Sequence, residues 1–429
     1  MLVLAGCDSA GGQRAVATEA TGPPRVVRVA LTDFRWPLDP ALARGRDETT
    51  LARALFATPL RIDPATGVPV SGLCSGWAGS DGFRTWTFTC RSAPAIAAAL
   101  RRVARLTDAP SHWLFADAQV SAPAANRLVV RVPYAWRRFP YALTAVAAAP
   151  RFVSGPFRLV SGSRNRVLVR NDVLTVDFRR YTARGGERAF ERGEVDEALV
   201  PLGDIAGTRA RLGDAVRSRT LLALDGVILR RLLPELRHVY WDTAGRNDYA
   251  ELVAEERGAA ARSVVSRTTK ASPRAYRKAV DAIATLPRVR VRIGVPADPT
   301  LRYGARLLYA QWRDVGLGPQ LVTEPARALD GSFGRWIAAY PQGEALPAEL
   351  VLRANLGSRA LLLRALGSAN QRAPLNVFDD DLRSSARFVP IAWVVDARLV
   401  SPRLRAWRED ALGDVDYAGV RSLASSRRP

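Results

Sequence analysis

The sequence predicts a two-lobe α/β protein. Three observations lead there. The chain has 429 residues, too many for one simple core and enough for two lobes of roughly 150–200 residues each. Hydrophobic residues make up 48% and charged residues 24%, so it can bury cores of that size and is not a polar, unfolded chain. Strand-like alternation at 27–31 and 289–293 accompanies helical patterns at 94–106, 272–286 and 298–315, and one strand–helix–strand unit near residues 289–322 demands a parallel strand pair.

The elements follow in chain order. Leu4-Ala5-Gly6-Cys7 resembles the box that ends a bacterial lipoprotein signal, where lipid is attached to the Cys sulfur. Only six residues precede Cys7, fewer than the apolar stretch of such a signal needs, so the natural start is expected upstream. Residues 1–24 read as signal remnant and flexible tether, rich in Gly, Ala, Ser and Thr. Val27, Val29 and Leu31 then alternate as in a strand. Cys74 and Cys90 flank an expected hairpin: a turn at Ser80-Asp81-Gly82 leads to Thr85–Thr89, with Trp86 and Phe88 inward. A disulfide across it would close a loop of roughly 17 residues, stabilise by about 3 kcal/mol and require an oxidising compartment; the alternative is two buried thiols.

Residues 94–106 form a helical pattern with Ile96, Leu100 and Val103 inward. A second helix starts at Ser272, with Pro273 in its first turn, and lines Tyr276, Val280 and Ile283 on one side. Val289, Val291 and Ile293 alternate as a strand. Asp298-Pro299-Thr300 caps a helix with Tyr303, Leu307, Ala310 and Val315 inward, Gly316 stops it, and Leu321-Val322 returns as a strand.

Composition narrows the function. The net charge of +22 is almost entirely Arg, with Lys only at 270 and 278. The arginines are scattered as singles and pairs without a basic block, which argues against nucleic-acid binding and for a solvated basic surface drawn toward anionic headgroups. His112 and His238 are the two histidines; neither they nor the three cysteines show metal-ligand spacing, so no metal and no cofactor are expected. There is no G-x-S-x-G elbow. The longest apolar run, near 142–149, is too short to span a bilayer.

A set of motifs then recurs in a recognisable order. Pro37-Leu38-Asp39-Pro40 is followed by Leu55-Phe56-Ala57-Thr58-Pro59-Leu60, Asp63-Pro64-Ala65-Thr66-Gly67, Gly72-Leu73-Cys74-Ser75-Gly76-Trp77 and Asp81-Gly82-Phe83-Arg84-Thr85-Trp86-Thr87-Phe88. Later come Ser154-Gly155-Pro156-Phe157, Gly193-Glu194-Val195-Asp196, the 289–316 unit, Val389-Pro390-Ile391 and Asp414-Val415-Asp416-Tyr417. This order resembles the family-5 extracytoplasmic solute-binding proteins of ABC importers, the oligopeptide, dipeptide and nickel type. Two departures stand out: the family's motif following the Arg91 position is missing, and no Asp stands near Tyr340, where peptide-binding members accept the peptide's α-amino group.

The resemblance implies a periplasmic-binding-protein type II (cluster C) fold with mixed sheets. Residues 25–225 would form the N-terminal lobe with an extra subdomain at about 51–150, 226–392 the second lobe, and 393–429 a segment returning to the first, with a hinge between lobes. It implies a monomer, lipid-anchored through Cys7 to the outer face of the cell membrane, that captures a peptide or similar solute and hands it to a permease and ATPase complex. By family position Asp33, Phe34, Arg35 and Trp36 would face the cleft from one lobe, and Trp336, Tyr340, Gln342 and Glu344 from the other, with Trp241 near the hinge. Glu344 would replace the missing Asp. No bond is made or broken in such capture, so no catalytic residue is expected. An enzyme using Glu191, Glu194 or Asp196 on one helix face, and a binding-protein fold turned regulator or docking surface, are the alternatives.

Overall fold

The structure is a computed structural model that describes residues 25–147, 155–201, 203–267, 272–324 and 328–422. Cys7 and the expected tether at 1–24 lie outside the described residues. Alternation builds the first strand: Arg25–Leu31 buries Val27, Val29 and Leu31 and runs parallel to Leu174–Arg180. That pair lies in the N-terminal lobe, lobe I, within a ten-stranded mixed sheet whose other end belongs to the second lobe, lobe II. In spatial order the sheet runs Pro319–Thr323, Val291–Val295, Gly331–Ile337, Val216–Leu229, Phe388–Val400, Glu197–Leu199, Arg25–Leu31, Leu174–Arg180, Arg166–Arg170 and Arg158–Gly162.

The expected strand–helix–strand unit forms at the other end. Val291–Val295 and Pro319–Thr323 pair in parallel around the helix Pro299–Asp314. The Asp298 carboxylate accepts from the Leu301 N–H at 2.9 Å, and Gly316, at φ +93°, ends the helix as a left-handed residue. The buried stripe differs from the expected one: Leu301, Gly304, Ala305, Leu308 and Trp312 point inward, while Tyr303 and Ala310 face water. Two contacts set this rotation. Trp312 packs edge-on against Tyr240 with ring centroids 4.9 Å apart, and Gly304 lies so close to the Tyr249 ring that no Cβ would fit. Similarly, Pro273–Ile283 is capped by Ser272 and buries Ala279, with Val280 and Ile283 half-buried and Tyr276 exposed.

The subdomain follows its local patterns closely. Cys74–Ser80 and Thr85–Cys90 pair as a hairpin around Asp81, Gly82 and Phe83, with Trp86 and Phe88 buried. Cys74 sits opposite Cys90 and their sulfurs are bonded. Arg127–Arg131 and Gln119–Ala124 complete a four-stranded sheet, against which the helix Ala93–Arg105 packs Ile96, Leu100 and Val103. Glu191, Glu194 and Asp196 do not share a helix face. The helix Ala183–Glu191 stops at Glu191, Glu194 pairs with exposed Arg192, and Asp196 is buried on the Arg28 N–H and the Arg403 guanidinium.

Two long strands carry the chain between lobes. Val216–Leu229 pairs with Phe388–Val400 along its length, but the register shifts between Thr220 and Leu224. Past that break it also pairs with Gly331–Ile337 of lobe II. Leu221, Ala223 and Val394 form a small apolar cluster of their own at the break. Ladder bonds are interrupted there, so the crossover strands, the expected hinge pair, bend most easily at that point. Elsewhere the lobes are shut: Trp86, Phe115, Trp136 and Phe139 of the subdomain share one apolar cluster with Tyr340, Leu346, Leu350 and Phe378 of lobe II.

Candidate functional site

Three of the residues expected at the cleft meet the subdomain directly. Tyr340 is fully buried, with its ring 6.2 Å from that of Trp136 and 6.1 Å from that of Tyr141. Arg138 donates from Nη1 to Gln342 Oε1 at 2.5 Å and lies 3.3 Å from Glu344 Oε2. Burial raises the Glu344 carboxyl above its ordinary range, and Arg138 opposes this without overcoming it. Arg137 adds bonds from its backbone N–H to the Leu366 carbonyl and from Nε to the Gly367 carbonyl. The polar cluster around Glu344 thus holds a protein guanidinium and works as a clasp between subdomain and lobe II.

The remaining six lie elsewhere. Phe34 is in the lobe I core beneath the Arg180 guanidinium, and exposed Asp33 pairs with the same Arg180. Arg35 grips Glu48 through two bonds of 2.7 and 2.9 Å, while the Trp36 ring packs so close to Gly162 of the edge hairpin that no Cβ would fit there. Trp336 is half-buried and edge-on to Phe388. Trp241 belongs to the lobe II core, where the buried Arg246 sits over its ring and donates to the carbonyls of Trp241 and Pro390. Trp241 also borders a separate recess in lobe II, away from lobe I.

A cavity of about 300 Å³ does lie between the lobes. Lobe I contributes the helix Gly45–Leu55, the helix His112–Phe115, Thr144 and the Leu412–Asp414 loop. Lobe II contributes Arg335, Ile337, Glu349 and Arg353. Its arginines are largely neutralised by carboxylates: Arg46 by Asp396, Arg53 by Asp410 and Asp414, and Arg335 by Asp225. Two lining groups are not satisfied. Trp113 is buried and its Nε1–H has no acceptor. Glu349 is 4% exposed; its Oε1 meets Arg353 at 2.5 Å, while Oε2 has no partner. Burial pushes the Glu349 carboxyl up to about 7 against the pull of Arg353. One orphan is a donor from lobe I, the other an oxygen from lobe II.

A second cavity of about 630 Å³ lies wholly within lobe I and shares Arg53, Thr58, Thr144 and Asp414 with the first. Burial pushes the Asp414 carboxyl up to about 6. All of its described walls belong to one lobe, so hinge motion leaves it unchanged, whereas the smaller cavity exists only when the lobes meet.

The sequence pattern did contain a sign of Glu349, the lone charge in the buried apolar helix Ala345–Leu352. Nothing local marks Trp113.

The sequence matches no protein-family model and no curated protein. Solved structures do match along nearly the whole chain. The murein tripeptide binding protein MppA of Escherichia coli aligns at TM-score 0.78 and 14% identity over 94% of this chain and 99% of that one; its unliganded open form scores 0.68. A dipeptide binding protein from Pseudoalteromonas, in complex with Met-Leu, aligns at 0.77 and 13% identity over 93% and 100%. OppA of Burkholderia pseudomallei aligns at 0.75 and 15% identity over 94% and 100%. These neighbours are binding proteins. With its hinge pair, inserted subdomain and inter-lobe cavity, the chain has the two-lobe α/β fold of the periplasmic peptide-binding proteins.

Proposed function

We propose that this chain is the solute-capturing subunit of an ABC importer, taking a peptide or similar small solute between its lobes and presenting it to a permease and ATPase complex. The observation that carries this reading is the inter-lobe cavity itself, walled by the helix Gly45–Leu55 and Trp113 from lobe I and by Arg335, Glu349 and Arg353 from lobe II. A solute bonded to both lobes ties them shut, and its differential affinity for the closed form shifts the hinge equilibrium. The cavity is at the small end of ligand sites, which suits a short solute, and the adjoining lobe I cavity offers room for a longer one. The structural neighbours include a murein tripeptide binding protein and a dipeptide binding protein, which favours peptides. No step in this reading needs a nucleophile or general base.

The Cys74–Cys90 bond supports a site outside the cytoplasm. Lipid on Cys7 would hold the protein at the outer face of the membrane as a monomer, and the net charge of +22 would favour anionic headgroups. The test is a thermal-shift screen of the chain beyond Cys7 with di-, tri- and oligopeptides, sugars and metal chelates, followed by small-angle scattering of any hit. A raised melting temperature together with a reduced radius of gyration is expected for at least one peptide. No shift with any class at millimolar concentration overturns the reading.

A further inference from the structure

The recess beside Trp241 has all its described walls in lobe II and gathers Arg246, Arg262, Arg277 and Arg383 around a space of about 540 Å³. Separate stretches of chain deliver them. Arg246 opens the helix Arg246–Leu252, Arg262 lies on the loop that follows, Arg277 stands on the helix Pro273–Ile283 and Arg383 in the last turn of the helix Arg372–Ser385. The acids on the wall are Asp242 and Asp248, and Asp248 already accepts from Gln311 Nε2 at 2.8 Å. Arg383 has Asp379 and Asp380 at 3.4 and 3.9 Å. Arg246 donates to the carbonyls of Trp241 and Pro390 rather than to a carboxylate. Among the described residues, Arg262 and Arg277 form no ion pair. The guanidiniums therefore oppose one another. Burial lowers the pKa of Arg246 to about 9, with Arg262 and Arg383 adding repulsion and Asp242 opposing it. Burial lowers Arg262 as well; Asp242 opposes this and Arg383 reinforces it. Burial also raises the Asp242 carboxyl against the pull of Arg246 and Arg262, so this acid is a weak counter-charge. The helix Pro273–Ile283 starts on the same wall and adds its positive end.

Like charges held together in a partly buried recess are satisfied by an anion that several of them reach at once. We propose that this recess is a second binding site, taking a phosphate monoester through Arg262, Arg277 and Arg383, with the buried Arg246 adding charge. Geometry favours phosphate over carboxylate. Its oxygens spread over a tetrahedron and meet guanidiniums arriving from three elements, whereas a planar carboxylate matches a single fork. A phosphate monoester also carries close to two charges at neutral pH. The recess is larger than a phosphate group, and Trp241 and the exposed Tyr276 ring offer apolar area to the rest of the ester. Hinge motion leaves the described walls unchanged, so the site stands or falls independently of the capture function. The same chemistry comes from two sources, a soluble phosphate ester or the headgroup of an anionic lipid such as phosphatidic acid.

The test titrates the chain in HEPES at neutral pH with inorganic phosphate and with glycerol 3-phosphate, by calorimetry. One equivalent of the ester binds with a Kd below about 1 mM. Arg262→Gln and Arg277→Gln each weaken it about 10-fold or more. Arg101→Gln, which removes the same charge from an exposed position on the helix Ala93–Arg105, binds like wild type. Sedimentation with phosphatidylcholine vesicles containing phosphatidic acid then identifies the source. If Arg277→Gln sediments less than Arg101→Gln, the ester is a lipid headgroup; if the two sediment alike while Arg277→Gln loses glycerol 3-phosphate, it is soluble. No saturable heat with either phosphate compound at millimolar concentration overturns the site. So does binding by Arg262→Gln and Arg277→Gln that matches wild type, or an equal loss in Arg101→Gln, which marks attraction to net charge alone. Arg277 is exposed and outside any ion pair among the described residues, so its replacement leaves the fold intact. The titration of wild type needs no variant.

Discussion

Arg335 and Asp225 join the wall of the inter-lobe cavity to the crossover strand, and breaking that pair from one side is expected to be costly. Asp225 lies on Val216–Leu229 just past the register break and is 3% exposed. Arg335 meets it with two parallel bonds, Nε to Oδ1 at 2.8 Å and Nη2 to Oδ2 at 3.0 Å, and the Tyr249 hydroxyl adds a third at 2.9 Å. Burial disfavours the charge on Arg335, but Asp225 outweighs it and holds the guanidinium pKa above its ordinary value. Arg335→Met strands a buried carboxylate with one hydroxyl for company, which costs about 3–5 kcal/mol. Asp225→Leu leaves Arg335 able to turn toward the cavity, so its cost is smaller. The double variant removes both charges and recovers most of the loss, giving a coupling of about 2 kcal/mol or more. Urea unfolding at pH 7.5, followed by tryptophan fluorescence, measures all four corners of the cycle. A cost below about 1 kcal/mol for Arg335→Met, or a double variant as unstable as that single one, refutes a desolvated pair.

Reduction of Cys74–Cys90, or its replacement by alanines, removes a cross-link spanning 16 residues and lowers stability by about 3 kcal/mol, read as a lower melting temperature in reductant; two free thiols titrating in the untreated protein would contradict this. Glu349 makes stability pH-dependent with a definite sign. Its folded pKa is raised from 4.5 to about 7, so its contribution is present below about pH 4.5 and lost as pH climbs through 7. Relative to wild type, Glu349→Gln should therefore gain about 2.5 kcal/mol between pH 5 and pH 8, and equal differences at both pH values would show that the carboxyl is hydrated. Gly226→Ala places a methyl 2.5 Å from Phe388 Cζ, between the crossover strands, and should destabilise by about 1–3 kcal/mol in the same unfolding assay; an unchanged midpoint would mean the strands have slack there.

What the sequence revealed was whatever depends on near neighbours. The hairpin at 74–90 was legible because Trp86 and Phe88 alternate and Gly82 sits at the centre of a turn in which Asp81, Gly82 and Phe83 all take positive φ. The helix Ala93–Arg105 was legible because Ile96, Leu100 and Val103 repeat at helical spacing, and the parallel unit because Asp298 and Gly316 mark both helix ends. The rotation of that second helix was not legible, since it depends on Trp312 finding Tyr240 and on Gly304 passing Tyr249. The same limit applies at the cleft. Gln342 and Glu344 read as a polar cluster awaiting a ligand, but Arg138, more than 200 residues earlier, takes the place of one. Trp241 looked like a cleft aromatic and is core, because Arg246 hides its own charge against that ring and two backbone carbonyls.

The clasp joins the subdomain to lobe II through the buried Trp136 and Tyr340 rings and the Arg138 contacts. The same contacts leave Trp136 Nε1, the Tyr340 hydroxyl and Glu344 Oε1 buried without a hydrogen-bond partner, and burial raises the Glu344 carboxyl. Each such group costs about 1–3 kcal/mol, so the apolar burial at the clasp is offset in part by its own polar atoms. Moving a two-state hinge from 1:99 to 99:1 takes about 5.5 kcal/mol. A clasp so offset leaves the closed form within reach of the few hydrogen bonds that a solute adds across the lobes.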